Sequence, residues 1–434
     1  MKKFLYSVFM LAAVVLAACS NDDNGDLQPK RGMTLNASVE NLSSRATMTD
    51  ESGTWKFAFA VNDQVSVSNN KITSYYTFTN NGSQFTSTDA MVTTEDADWY
   101  AYFPGNEVYL TNQTGNFADV ANKFAVAGGT ALATTGEKGL SITLKPKVAV
   151  LRIVAVDKKG ILDIHVKTAD GKWVKGLTAT KNAAEFTVST SDAKTTLLQK
   201  AEGTVNAGEI NYVVVPADVK IEIYNGDMLL NKTKDAGLTA GKYYTITSGP
   251  TKGTETALIK GVEKKINWVQ LWAGGPRFAT ENVAEDMTWT EAAKTGSDYV
   301  WGANWRTPTA EEVEVEGGLL FDWSTGQAQA GSPTFTITTA ADGTEETVVF
   351  TGVQPGYTKN TLTLYKKVVN GYNQFDFWTS TNDGGYGCKF IIWRKDNITW
   401  GFGISKRHDP NTEYHLVRPV LSIQNITNIT NNKK

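Results

Sequence analysis

The stretch Val148-Ala149-Val150-Leu151-Arg152-Ile153-Val154 decides the fold class of this 434-residue chain. It is apolar on both faces apart from Arg152, as expected for a strand at the centre of a β-sandwich that is covered on each side. Further along, Val219-Lys220-Ile221-Glu222-Ile223 alternates apolar with charged residues, which is the period of a strand with one buried face. We therefore predict a mainly β protein.

The surrounding sequence supports this prediction. From Met33 to about Gly249 the chain is rich in Thr, Val, Ala and Asn, in short alternating runs that Gly, Asn and Asp interrupt. Such runs are typical of antiparallel strands. No long segment in this part has helical periodicity. Pro216, which has no backbone N–H to donate to a β-ladder, is predicted to separate two strands. The sequence predicts sandwich architecture here.

The N-terminus has the layout of a secretory signal. Lys2 and Lys3 supply the positive charge, residues 4–18 are apolar, and Cys19 follows the small residues Ala17 and Ala18. The run Leu16-Ala17-Ala18-Cys19 resembles a bacterial lipobox, which implies that the Cys19 thiol receives a diacylglycerol and anchors the mature chain to the outer membrane. The alternative is an ordinary cleaved signal followed by an incidental cysteine.

Residues 20–26 are polar and acidic, too poor in apolar side chains to fold, and they indicate a tether over residues 19–32. An acidic patch behind a lipid cysteine also resembles the surface-export signal of lipoproteins from anaerobic gut bacteria. That resemblance implies a location on the outer face of the outer membrane, whereas the alternative is a plain flexible linker.

Charge and cysteine content exclude several classes of protein. The net charge is −3 and no basic stripe occurs, which argues against nucleic acid as a partner. Cys19 and Cys388 are the two cysteines, so with Cys19 committed to lipid the fold is not a disulfide scaffold. We expect Cys388 to be a small buried residue rather than a nucleophile.

Several strings occur in the order and spacing of the fimbrillin family, which comprises lipoprotein pilins and adhesins of anaerobic gut and oral bacteria. The chain resembles that family over about half its length, in residues 54–55, 61–67, 76–78, 99–104, 213–216 and 238–244. The resemblance implies two consecutive β-sandwich subdomains with a border near residues 141–147, and other pilin subunits as partners. In polymerising members a protease cuts after an arginine near the mature N-terminus and frees a groove for a neighbour's strand. Arg45-Ala46 sits where such a cut would fall, and the alternative is an exposed loop arginine.

The composition changes beyond a polar linker at residues 251–256, because nine of the twelve tryptophans lie between Trp268 and Trp400. Two Thr-x-x-Glu capping boxes, at residues 288–291 and 309–312, predict two short helices. Strands are predicted after them, at residues 347–350, 389–393, 399–402 and 414–418.

Four strings in this part, residues 286–292, 301–312, 377–381 and 417–420, resemble the major-paralogous domain of bacterial surface proteins. That family has a C-type-lectin-like α+β fold, which the resemblance implies for this part, with Arg306 paired to an acid or to carbonyls. The sugar-binding calcium motifs Glu-Pro-Asn and Trp-Asn-Asp of true C-type lectins are both absent. The resemblance therefore implies the fold without calcium-dependent sugar binding.

A catalytic constellation is hard to assemble from this sequence. It contains no His-Glu-x-x-His, no Gly-x-Ser-x-Gly and no phosphate-binding Gly-x-x-x-x-Gly-Lys-Ser/Thr. His408, Asp409, Glu413 and His415 lie close together, but their spacing fits no standard metal-ligand pattern. We predict no enzyme, no cofactor and no metal. As exposed ligand-binding candidates we name Tyr357, Tyr365, Tyr372 and Tyr386.

These observations predict the following order: a signal peptide (1–18), the tether (19–32), two fimbrillin-like sandwiches (33–145 and 146–249), a linker (250–258), a C-type-lectin-like domain (259–424) and a flexible tail (425–434). The resemblances imply a surface adhesin or minor, tip-type fimbrial subunit that binds a protein or glycan ligand through its C-terminal domain. The tail lacks the period of two that a donor strand needs, which favours a tip position. The alternatives are a glycan-binding lipoprotein of a nutrient-uptake system and, more distantly, an enzyme.

Overall fold

A computed structural model describes residues 34–40, 50–51, 54–55, 59–71, 74–87, 97–133, 140–157, 160–314, 321–322, 327–328, 332–339, 345–354, 357–367, 374–394 and 400–422. Cys19, the acidic tether, Arg45-Ala46, Tyr372 and the tail lie outside these residues. What the sequence predicts for them therefore stays a prediction.

The first ten strands belong to the predicted N-terminal sandwich. They are β1 (Thr34–Val39), β2 (Asp50–Glu51), β3 (Thr54–Trp55), β4 (Gln64–Asn69), β5 (Tyr76–Asn80), β6 (Phe85–Thr86), β7 (Ala97–Phe103), β8 (Glu107–Tyr109), β9 (Val126–Ala133) and β10 (Leu140–Pro146). Seven of them close into a barrel in the order β1-β10-β9-β7-β4-β5-β6. Closure leaves no unpaired sheet edge. The N-terminal part is thus a barrel where the sequence predicts a sandwich.

The next nine strands form the second part. They are β11 (Val148–Val154), β12 (Gly160–Thr168), β13 (Trp173–Thr180), β14 (Glu185–Ser191), β15 (Leu198–Val205), β16 (Ile210–Pro216), β17 (Ile221–Asn225), β18 (Met228–Lys232) and β19 (Tyr243–Thr247). β11 lies between β16 and β19, and each of its residues except Arg152 is buried, which confirms the prediction of a central strand. Ile221 and Ile223 are also buried, as their alternation predicts.

The barrel and the second part share one hydrophobic core, which runs from Leu35 to Leu238. β8 crosses between them, because it pairs with β13 rather than with the barrel. Gln113 reinforces the junction: its side-chain amide donates to the Leu110 and Val214 carbonyls, and its oxygen accepts from the Val214 amide at 2.8 Å. The chain changes sheet at Lys147, within the predicted border, but that border lies inside a shared core.

The C-terminal part contains the remaining strands and two helices. They are β20 (Lys252–Ile259), β21 (Val262–Gln270), β22 (Arg277–Ala279), α1 (Trp289–Ala292), β23 (Trp305–Arg306), α2 (Ala310–Val313), β24 (Phe321–Asp322), β25 (Gln327–Ala328), β26 (Thr334–Thr339), β27 (Glu345–Thr351), β28 (Thr361–Lys367), β29 (Gln374–Asp383), β30 (Tyr386–Arg394), β31 (Trp400–His408) and β32 (Val420–Leu421). The main sheets have the orders β20-β21-β22-β32-β23, β26-β27-β28 and β29-β30-β31.

Two sequence predictions for this part are wrong. The predicted linker is strand β20, which pairs with β21 along its whole length. It is the edge strand of the five-stranded sheet, and its alternating Thr and Glu residues give it one solvent-exposed face. The predicted strand at residues 414–418 is reduced to two isolated bridges, Met287 with His415 and Phe377 with Leu416. A C-type-lectin-like fold for this part stays a prediction.

Both predicted capping boxes are confirmed. The Thr288 and Thr309 hydroxyls accept from the amides of Glu291 and Glu312, and each glutamate reaches back to the amide of its cap. Both helices have four residues, which is a single turn each. None of the helices in the described residues has the length and apolarity that crossing a membrane requires.

Candidate functional site

The polar side chains at the end of β31 form the best candidate site in the described part of the chain. His408 ends β31, and Glu413 and His415 follow it across a tight loop. These three residues, which we call the His408 cluster, each bring one metal-ligating atom to within 4.8 Å of the others. The sequence showed their closeness along the chain but not that their side chains converge.

The loop between His408 and Glu413 has a conformation that its own residues fix. The Asp409 carboxylate accepts from the amides of Asn411 and Thr412 at 2.9 and 3.0 Å, an Asx-type turn that Asp favours. The Pro410 carbonyl accepts from the Thr290 amide of α1 at 3.1 Å, so the loop is fastened to the helix. Asp409 thus shapes the loop and is not a member of the cluster.

Glu413 is the centre of the cluster. Its Oε2 lies 2.8 Å from His408 Nδ1 and 3.2 Å from His415 Nε2, while its Oε1 accepts from the Asp409 amide at 3.1 Å. Burial alone would raise the pKa of Glu413, but hydrogen bonds from His415, the Asp409 amide and His408 outweigh it and lower the pKa to about 2. Glu413 is therefore a carboxylate at every physiological pH.

The neighbouring strands supply a second layer of polar groups. Ser405 Oγ lies 2.8 Å from His408 Nε2. Lys389 Nζ, on β30, lies 3.2 Å from both Asp376 Oδ2 and His415 Nε2, and Asp376 Oδ2 lies 3.6 Å from His415 Nδ1. Burial and the Lys389 charge lower the pKa of His415, so its imidazole is neutral at pH 7.

Two chemistries use groups of this kind. Two imidazoles and a carboxylate are the donors of many zinc and copper sites. The contacts Ser405-His408-Glu413 also have the order of a nucleophile, its base and the acid that orients the base. Acyl transfer would further need hydrogen-bond donors placed at the developing oxyanion. A metal ion would need only the three donor atoms that the His408 cluster brings within 4.8 Å of one another.

The structure divides the four predicted ligand-binding tyrosines. Tyr386 is 48% exposed, as expected of a contact residue. Tyr357 is fully buried, so the expectation that it is exposed is wrong. It packs with Val154, the last residue of β11, and with Val156. The side chain of Tyr365 and the whole of Tyr372 lie outside the part of the chain that the structure describes.

Two further predictions about polar residues are confirmed. Arg306 pairs with an acid: its Nη1 donates to Glu312 Oε2 at 2.7 Å, and Nη2 contacts Oε1. Cys388 is completely buried, and that burial raises the pKa of its thiol. Neither residue belongs to the His408 cluster. The sequence missed Lys389 and Ser405, since nothing along the chain marks which residues of β30 and β31 face His415 and His408.

Comparison with known proteins adds structural likeness only. No protein-family model and no curated protein matches the chain. Among solved structures, candidate cell adhesion proteins from Bacteroides ovatus and Bacteroides uniformis are 10% and 12% identical, each with a TM-score of 0.31. They cover 55% and 54% of this chain and 96% and 97% of their own lengths. A fimbrial protein from Bacteroides ovatus is 11% identical, with a TM-score of 0.24, and the match covers 91% of this chain and 100% of that one. At these TM-scores the likenesses carry no argument about the fold or role of this chain.

Proposed function

We propose that this chain is a lipid-anchored protein of the bacterial outer surface that acts in adhesion, as an accessory or tip-type fimbrial subunit. It works by binding and not by turnover. The observation that carries the proposal is the position of β1, which completes the barrel and precedes Arg45 in the sequence.

β1 closes the barrel by pairing between β10 and β6. It pairs in parallel with β10 over five residues, from Leu35 with Leu140 to Val39 with Leu144, and antiparallel with β6 over two. Leu35 is fully buried, and the half-buried Ala37 and Val39 follow it with period two. This is how an added strand binds: backbone bonds hold it and alternate side chains enter the core.

A cut after Arg45 would turn β1 into a separate peptide. The strand would then be held by its ladder and by Leu35, Ala37 and Val39 alone, with no covalent link to the barrel. Its departure would expose the edges of β6 and β10, and an exposed edge is a template for a strand from another chain. The chain can in this way accept a strand, which is what assembly onto a fimbria requires.

Cleavage of soluble Cys19→Ser protein by an arginine-specific protease tests this proposal. We expect a cut at Arg45, after which a labelled peptide of residues 34–45 exchanges into the barrel. A Leu35→Asp peptide should fail to enter, because burying its charge is costly. Arg45→Ala protein should stay intact around β1, whereas Arg31→Ala, a matched control upstream of β1, should still be cut at Arg45. The proposal fails if the cleaved barrel unfolds or takes up neither peptide.

The C-terminal part is proposed to bind the ligand. Tyr386 and Tyr414 are 48% and 59% exposed, and aromatic side chains of this kind supply much of the contact energy at interfaces. The rival function, glycan capture for nutrient uptake, predicts affinity for a soluble oligosaccharide. A glycan-array screen of the soluble chain separates the two, with Tyr386→Ala and Tyr414→Ala as variants. Adhesion is supported if the parent chain binds no glycan and the two variants lose binding to cells. The rival function is supported if the parent chain binds a free oligosaccharide at micromolar affinity.

The tip assignment depends on the tail. If residues 425–434 donate no strand, deleting them should leave incorporation into fimbriae unchanged. If the deletion blocks elongation while the protein still reaches the surface, the tail is a donor strand and the tip assignment is wrong.

A further inference from the structure

We propose that the His408 cluster is a binding site for a divalent transition-metal ion such as Zn²⁺. The ligand atoms are His408 Nδ1, Glu413 Oε2 and His415 Nε2. The proposal is independent of the fimbrial role, and it reverses the expectation from sequence spacing that this segment holds no metal.

The distances suit an ion of this size. Zinc binds imidazole nitrogen and carboxylate oxygen at about 2.0–2.2 Å in tetrahedral geometry, which places neighbouring ligand atoms about 3.3–3.6 Å apart. Glu413 Oε2 lies 2.8 Å from His408 Nδ1 and 3.2 Å from His415 Nε2. These two distances would lengthen by a few tenths of an ångström around the ion, and the three ligand atoms already lie within 4.8 Å of one another. The loop that Asp409 shapes holds all three side chains near these positions.

The outer ring nitrogens face the partners that a metal site needs. A ligating histidine almost always donates its other N–H to a nearby acceptor, which fixes its tautomer. His408 Nε2 lies 2.8 Å from Ser405 Oγ, and His415 Nδ1 lies 3.6 Å from Asp376 Oδ2. In the metal-bound state the protons would lie on these outer nitrogens, and the two inner nitrogens, which face Glu413, would offer their lone pairs to the ion.

The two groups that face His415 Nε2 favour a cation at this position. Its Nε2 lies 3.2 Å from the Lys389 ammonium and 3.2 Å from the Glu413 carboxylate. If Nε2 carries a proton, it faces the ammonium donor; if it does not, its lone pair faces the carboxylate. Either tautomer therefore leaves one unfavourable contact. A metal ion accepts from Nε2 and Glu413 together and removes the conflict, while Lys389 keeps Asp376 as its partner.

The donor set also indicates which ions bind. Calcium and magnesium take oxygen ligands, whereas imidazole suits zinc, copper and nickel. Three protein ligands leave a fourth position open. The cluster lies near the surface, since the side chains of His408, His415 and Glu413 are 18%, 16% and 38% exposed. The fourth position is thus available to water or to a donor from a bound partner.

Calorimetric titration of tag-free, chelator-treated Cys19→Ser chain with ZnCl₂ at pH 7.5 tests the site. We expect one Zn²⁺ per chain, and a loss of affinity of at least tenfold in His408→Ala, His415→Ala and Glu413→Gln, since losing even an outer partner of a ligand costs about 10–100-fold. Glu285→Gln, an exposed acid in the same part of the chain, should bind as the parent does. Lys389→Met should bind more tightly, because it removes the competing ammonium.

Cobalt supplies a second readout that a folding defect cannot mimic. Tetrahedral Co²⁺ in the parent chain should absorb in the visible, and the bands should disappear in each ligand variant whose melting temperature equals that of the parent. The proposal is overturned if the chelator-treated parent takes up no Zn²⁺, or if binding survives in the double variant His408→Ala/His415→Ala.

Discussion

Tyr357 offers the sharpest test of how the C-terminal part is joined to the rest of the chain. Its ring is fully buried and packs with Val154, the last residue of β11, and with Val156. The same junction contains a bond from the Gly274 amide to the Val156 carbonyl, at 2.7 Å, and the pair of Arg277 with Asp157, at 3.2 Å. Replacing Tyr357 by alanine removes the side chain that fills this junction.

The expected magnitude follows from burial. A fully buried aromatic side chain removes on the order of 200 Å² from water, which at about 25 cal/mol per Å² gives an upper bound of about 5 kcal/mol. Measured Phe→Ala and Trp→Ala substitutions in cores cost about 3–5 kcal/mol. We therefore expect Tyr357→Ala to lower the free energy of unfolding by about 3–5 kcal/mol.

The hydroxyl group makes the prediction more specific. Tyr357 Oη is buried, and among the described residues it has no hydrogen-bond partner. Burial and the nearby Asp157 raise the pKa of this phenol, so it stays neutral. A buried polar group without a partner costs about 1–3 kcal/mol. Tyr357→Phe should therefore leave the chain as stable as the parent or more stable by about 1 kcal/mol.

Guanidinium denaturation followed by tryptophan fluorescence measures both variants, with the exposed Tyr386→Ala as the matched control. The control should lie within about 0.5 kcal/mol of the parent. The reasoning is refuted if Tyr357→Ala is no less stable than Tyr386→Ala. It is also refuted if Tyr357→Phe loses more than about 1 kcal/mol, because the hydroxyl must then have a partner.

Four further outcomes are expected. Thr309→Ala should lose about 1 kcal/mol of unfolding free energy in a denaturant titration, and Thr309→Ser, which keeps the capping hydroxyl, should not. Burial tends to raise the pKa of Glu312, but the Arg306 guanidinium outweighs burial and lowers that pKa. The ion pair therefore stabilises the fold above pH 4.5, and this contribution is lost as the pH falls below that value. The melting temperature of Glu312→Gln should depend less on acid pH than that of the parent. The Cys388 thiol should react with a thiol reagent only on unfolding, and rapid labelling of native Cys19→Ser protein would contradict its burial. Cys19→Ser should take up no labelled palmitate in cells, whereas uptake would show that the lipobox reading is wrong.

Local patterns in the sequence were enough to predict β11, β17 and the two helix caps. Each depends on residues a few positions apart: the two-sided apolar run of β11, the alternation in β17, and the Thr-x-x-Glu boxes of α1 and α2. Such patterns act through the backbone of one element, so they can be seen along the chain. For Arg306 the family resemblance implied an acid or carbonyls as partners, and the acid is Glu312, six residues away on α2.

Only the tertiary structure decided which elements meet. Whether strands close into a barrel or stay open depends on the pairing of β1 with β10, about a hundred residues apart, and no local period encodes it. The polar residues of the solvent-exposed face of β20 made this segment resemble a linker. It is a strand because it pairs with β21, and that pairing is not visible in its own sequence. The His408 cluster shows the same limit. Its ligands are local in sequence, but Lys389 and Asp376, which determine the charge around His415, come from β30 and β29 across the sheet.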